Sequence, residues 1–90
     1  MEREKAKQVL EAVLFAMGEA VELSRLANVI EEEKDVTREL LNELKEQYRS
    51  GNRGMDIIEL DGAYQMCTRT ELYEYLIRIA KNPRKYVLTD

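Results

Sequence analysis

The hydrophobic period of this chain changes from about 3.6 residues to 2 across Gly51-Asn52-Arg53-Gly54, and that switch limits the fold more than any other feature. Upstream of it every apolar pattern is helical. Ala6, Val9, Leu10, Val13, Leu14 and Met17 recur at helical spacing and predict a first helix over residues 6–17, ended by Gly18. Glu19-Ala20-Val21-Glu22 follows as a short extended link able to make a single bridge to a sheet. Leu23, Leu26, Ala27 and Ile30 stand at i, i+3, i+4 and i+7 and predict a second helix of about two turns. The run Glu31-Glu32-Glu33-Lys34 has nothing apolar to bury, so a tight turn is expected there, with Asp35 as the cap of a third helix. Val36, Leu40, Leu41, Leu44 and Tyr48 line that helix's inner side, and Gly51 is the flexible residue past its end.

Downstream of the switch, residues 55–60 and 63–68 alternate around Asp61-Gly62, a favoured two-residue hairpin loop. A type I′ turn there sets Leu60 against Ala63 and Ile57 against Met66. Met55, Ile57, Tyr64 and Met66 then share one face, and Ile58, Leu60, Ala63 and Cys67 the other. Thr68-Arg69-Thr70-Glu71 has the form of a capping box and predicts a fourth helix starting at once. It runs through Leu72, Tyr73, Tyr75, Leu76, Ile77, Ile79 and Ala80 and must end near Lys81 or Asn82, because Pro83 has no place in a helix interior.

Three helices, the second and third joined by a tight turn, followed by a hairpin and a last helix, describe a winged helix-turn-helix of the α+β class, mostly α. Residues 1–82 are expected to form this domain, with 83–90 a linker or tail. A chain of 90 residues has room for one core. Leu14, Leu26, Leu40, Leu44 and Ile57 are its expected members.

Several function classes are disfavoured by what the chain carries. With no histidine and the single cysteine Cys67, the usual parts for zinc binding and for Ser-His or Cys-His catalysis are missing. The acidic run Glu31–Glu33 with Asp35 lacks the spaced ligands and turn glycine of a calcium loop. Carboxylates on exposed helix faces of so small a domain give no reason for the shifted pKa values that acid–base catalysis needs. We therefore expect no enzyme, no cofactor and no metal. No apolar run reaches the roughly 18 residues of a membrane span, and Met1-Glu2-Arg3-Glu4-Lys5 lacks the apolar core of a secretory signal, so a cytoplasmic protein is expected.

A helix-turn-helix invites a DNA-binding reading. Between Glu19 and Glu46, however, nine acidic residues face four basic ones, a net charge of −5 on the surface that would meet phosphates. Phosphate neutralisation supplies most non-specific DNA affinity, so direct DNA binding is not expected; a winged-helix transcriptional regulator remains the alternative reading. The basic group Arg78, Lys81, Arg84 and Lys85 reads as favourable charge at a helix C-terminus followed by a solvated linker.

The fourth helix points to protein binding. Leu72, Leu76 and Ile79 make one apolar stripe and Tyr73, Ile77 and Ala80 another, and a monomer is expected to bury only one of them. Ile58 and Leu60 on the outer face of the wing add to the surplus. Leu72, Tyr73, Leu76, Ile77, Ile58 and Leu60 are thus the candidate contacts of a homodimer.

Residues along nearly the whole chain resemble the bacterial segregation and condensation protein B family. The carriers are Leu10-Glu11-Ala12-Val13-Leu14-Phe15-Ala16, Gly18-Glu19-Ala20-Val21 with Leu23-x-x-Leu26-Ala27, the Leu40-Leu41-x-x-Leu44 helix, and Gly62-Ala63-Tyr64-Gln65-Met66 with Thr68. The resemblance implies a first winged-helix domain with a second one after it, so that Leu88-Thr89 stands where the second would open. It further implies a non-catalytic subunit that associates with itself, with a kleisin (segregation and condensation protein A), and through it with the SMC ATPase of a condensin-like complex at the nucleoid. Where family wings often end with a basic residue, this chain has Cys67.

Overall fold

The structure is a computed structural model that describes residues 1–81; the linker expected over 83–90, and with it Arg84 and Lys85 of the basic group, lies outside the described residues. In chain order the elements are α1 (Arg3–Met17), β1 (Val21–Glu22), α2 (Leu23–Ile30), α3 (Lys34–Ser50), β2 (Met55–Leu60), β3 (Ala63–Thr68), a short 3-10 turn (Thr70–Leu72) and α4 (Tyr73–Lys81). The expected winged helix-turn-helix is present in full order.

Local chemistry explains most of the boundaries. The Glu2 carboxylate accepts a hydrogen bond from the Lys5 amide at 2.9 Å, satisfying one open donor at the start of α1 and holding the Glu2 carboxyl below the usual range. The α2–α3 turn is made by Glu31 in the left-handed region, whose neighbour Glu32 donates to the Ala27 carbonyl at 3.0 Å. Asp35 does not cap α3: the helix begins at Lys34 with Glu33 as its cap residue, and Asp35 lies inside the first turn, 3.4 Å from Arg38. Gly51 ends α3, but the left-handed residue is Asn52; a side chain at Gly51 would come within 2.8 Å of the Gln47 carbonyl oxygen. In the wing, Asp61 (φ 52°) and Gly62 (φ 86°) both take positive φ, as a type I′ turn demands.

The sheet has the order β1-β3-β2, all antiparallel. Its register pairs Leu60 with Ala63, Ile57 with Met66 and Met55 with Thr68. The expected link strand is real: Val21 and Glu22 pair with Tyr64 and Ala63. The capping box is not. Thr68 is held in the ladder opposite Met55, and a 3-10 turn, with Arg69 as its cap residue and no side-chain cap, separates the strand from α4.

The core lies between the three helices and the inner face of the sheet. Ala6, Leu10 and Leu14 of α1, Leu23, Leu26 and Ile30 of α2, Leu40, Leu41, Leu44 and Tyr48 of α3, and Ile57, Tyr64 and Met66 of the wing form one cluster, with Val21 beside them. All five expected core residues belong to it. Met17 is exposed at the end of α1, while two polar residues are buried instead. Thr37 donates its hydroxyl to the Glu33 carbonyl at 2.9 Å, and the buried Lys7 has its ammonium 3.3 Å from Glu4 and 3.5 Å from Glu43.

Candidate protein interface

The helix α4 stands off the body as an arm. Tyr73, Tyr75, Leu76, Ile77 and Ile79 each keep between 45% and 51% of their surface exposed, so neither apolar stripe is buried, whereas one had been expected to face the core. The reason is the root. The Arg69 guanidinium donates to the Tyr48 and Arg49 carbonyls at the end of α3, at 2.7 and 3.1 Å, and its amide donates to the Gly54 carbonyl at 3.0 Å. A cation on the last carbonyls of a helix is well placed. Leu72 packs in the 3-10 turn beside Gly54, where a methyl group would sit 3.5 Å from its Cδ1. These contacts fix the direction in which α4 leaves, and that direction is away from the body.

At about 100° per residue, Tyr73, Tyr75, Leu76, Ile77, Ile79 and Ala80 cover an arc of about 200° around α4. Glu74 and Arg78, 3.9 Å apart, lie on the remainder. Of the candidate contacts, then, Tyr73, Leu76 and Ile77 lie exposed on the arm, Leu72 is half-buried at its root, and Ile58 is half-buried on the wing. Leu60 is exposed beside the hairpin turn, at the opposite end of the ladder from the root of the arm. With a rise of about 3.4 Å per residue over the ladder, that separation is roughly 17 Å. The structure does not gather the six residues into one patch.

A second apolar feature was not anticipated from the sequence. Gln8, Glu11, Ala12 and Phe15 form one face of α1 and, with Tyr48, Met55 and Met66, line a groove of about 380 Å³. Phe15 leaves 74% of its surface exposed there. The signal was the i, i+3, i+4, i+7 spacing of these four positions, next to the core stripe but not on it. The groove's one charged group, Glu11, accepts a hydrogen bond from the Tyr48 hydroxyl. Burial, then Glu11, pushes the Tyr48 phenol up to about 12.

Burial and then the Asp56 carboxylate push the Cys67 thiol up, away from the reactive thiolate. Among the described residues no three histidine, cysteine or acidic side chains converge as metal ligands, and no helix is long and apolar enough to cross a membrane.

A family model described as Segregation and condensation complex subunit ScpB matches residues 8–90. The chain belongs to the ScpB family. It is 61% identical over 85 residues to segregation and condensation protein B of Agathobacter rectalis, a match covering 93% of this chain and 46% of that relative. It is 42% identical over 90 residues to the same protein of Lachnoclostridium phytofermentans, covering 100% of this chain and 48% of the relative. The chain thus spans about half the length of these relatives. Among solved structures it is similar to a dimer of an ScpB N-terminal domain complexed with ScpA peptide, at 32% identity and a TM-score of 0.79, covering 84% of this chain and 95% of that one. ScpB from Mycobacterium tuberculosis, at 20% identity and a TM-score of 0.86 over 93% of this chain and 52% of that one, shares the winged-helix fold.

Proposed function

We propose that this chain is a non-catalytic interaction domain that forms a homodimer and takes part, through an ScpA-type kleisin, in an SMC complex acting in chromosome condensation and segregation in the cytoplasm. The observation that carries the reading is the arm: five large apolar side chains, two of them tyrosines, held about half-exposed on a helix whose root is fixed by Arg69 and Leu72. Tyrosines and large aliphatic residues at the centre of a contact dominate interface energies. Tyr73, Leu76 and Ile77 supply the contact, Leu72 supports it, and Ile58 and Leu60 give a second, separate apolar patch. The similar ScpB N-terminal domain being a dimer with a bound ScpA peptide supports both partners. Residues beyond 82 act in this reading as a connection to a second domain.

Light scattering of the eluting chain at low and moderate salt, with and without duplex DNA, tests the class of function. A dimer mass that holds or rises with salt and ignores DNA supports the reading, because apolar association survives screening. A monomer that binds duplex and is released by salt refutes it and favours the regulator.

A further inference from the structure

Arg69 is bonded in three directions at the point where the wing passes into α4. Its Nη2 donates to the Tyr48 and Arg49 carbonyls in the last turn of α3, at 2.7 and 3.1 Å, and its Nη1 lies 3.8 Å from the Glu71 carboxylate in the 3-10 turn. Its amide donates to the Gly54 carbonyl at 3.0 Å, and its own carbonyl accepts the Leu72 amide at 3.0 Å, closing the turn from which α4 starts. The body grips α4 itself only loosely, since the large apolar side chains of the helix keep about half of their surface exposed. We infer that Arg69 is a positioning residue for self-association: by clamping the last turn of α3 to the turn before α4, it holds that helix in the orientation that presents Tyr73, Leu76 and Ile77 to a partner. The inference rests on the self-association proposed above and adds a residue that prepares the contact without belonging to it.

The chemistry of the side chain supports the role. The last carbonyls of a helix lack intrahelical donors, and any cation there is favourable. A lysine would supply that charge, but its single ammonium lacks the planar group that reaches the α3 carbonyls and Glu71 at once. Arginine also carries a cost here, because its enclosed Nε makes no hydrogen bond among the described residues, and lysine has no such donor to bury. What the guanidinium adds over an ammonium is direction. Direction matters because α4 is a lever: its nine residues extend about 14 Å, so a swing of about 20° at the root moves the far end by roughly 5 Å. Apolar contacts are lost beyond about 4.5 Å. A copy that spends only about a third of its time in the competent orientation binds about threefold more weakly, and in a two-fold dimer both copies contribute, which makes the loss about tenfold.

The test uses the whole 90-residue chain and two substitutions, Arg69→Met, which keeps an apolar stem, and Arg69→Lys, which keeps the charge. Arg69→Met should weaken dimerisation at least about tenfold at temperatures where its melt shows the chain folded, and Arg69→Lys should restore only part of the loss. Ile30→Val, in the core on α2, serves as the comparison: it should lower the melt and leave the dimer constant of the folded chain unchanged. Equal weakening by Ile30→Val, or full restoration by lysine, overturns the positioning role. Distances between nitroxide labels at Lys5→Cys on α1 and Arg78→Cys on α4, in a Cys67→Ser background and diluted with unlabelled chain, read the orientation without reference to dimerisation. A narrow distribution in the parent that broadens in Arg69→Met is the expected result. A parent distribution that is already broad, or one that Arg69→Met leaves narrow, overturns the inference while self-association stands. A parent chain that stays monomeric at all concentrations overturns the self-association and the inference together.

Discussion

The hydroxyl of Tyr48 on α3 donates a hydrogen bond to the carboxylate of Glu11 on α1, across 37 positions of sequence. The contact ties the two longest helices together beside the groove. The phenol, pushed up to about 12, still holds its proton where an unfolded tyrosine would have lost it. The full contribution is therefore present below pH 10 and declines between pH 10 and about 12, by no more than about 3 kcal/mol. We expect Tyr48→Phe to cost about 1–3 kcal/mol at neutral pH and to flatten this alkaline loss. Chemical denaturation of both proteins from pH 8 to 12 checks it, and parallel curves for the two would show that Tyr48 carries none of the effect.

Leu44→Ala should cost about 2–5 kcal/mol, as large-to-small changes do at a fully packed site. Leu44 is 4% exposed in the cluster that joins α3 to the other helices and the wing. A domain of this size has total stability of only a few to about 10 kcal/mol, so partial unfolding at room temperature is an accepted outcome. A melt within a degree or two of the parent would contradict the packing described for α3.

Arg69→Ala removes the guanidinium that binds two carbonyls at the end of α3 and leaves them without that donor. We expect a loss of about 1–3 kcal/mol. Faster amide exchange should be confined to the last turn of α3 and the 3-10 turn before α4, with α1 and α2 unaffected. Uniform acceleration across the molecule would mean that Arg69 supports the whole fold and not the root of the arm.

Duplex DNA should not bind at micromolar protein in physiological salt. The α2–α3 surface carries more acidic than basic residues, and Glu31, Glu33, Asp35, Glu39 and Glu46 on it are exposed. Fluorescence anisotropy with a labelled duplex measures this. A salt-sensitive micromolar isotherm would contradict the electrostatic argument.

The parts of this fold that were legible in sequence are those that a hydrophobic period encodes. The inner residues of α3, the register of the wing and the five core positions all follow from which side chains recur at 3.6 or 2. What misled was local motif chemistry competing with longer-range pairing. Thr68-x-x-Glu71 matches a capping box, yet Thr68 ends the strand opposite Met55 and the chain turns through a 3-10 segment whose cap residue is Arg69, so no helix starts where the motif places it. Asp35 failed as a cap because α3 already begins at Lys34, which moves the cap position back by two residues to Glu33. The groove escaped notice because Phe15 neighbours Leu14 and reads as part of the same apolar run, although one step of about 100° turns it out of the core. The exposure of both stripes of α4 was illegible for a different reason. It depends on the direction set by Arg69 and Gly54 at the root, which no periodicity within α4 records.

The homodimer is the central claim, and sedimentation equilibrium from micromolar to near-millimolar protein tests it most directly. The account predicts a reversible monomer–dimer equilibrium for the 10.5 kDa chain. Tyr73→Ala and Ile77→Asp should shift it toward monomer at least about tenfold, with unchanged melts, because both side chains lie exposed on the arm and contribute nothing to the core. A single monomeric species across the whole range, or a dimer indifferent to both substitutions, would contradict it.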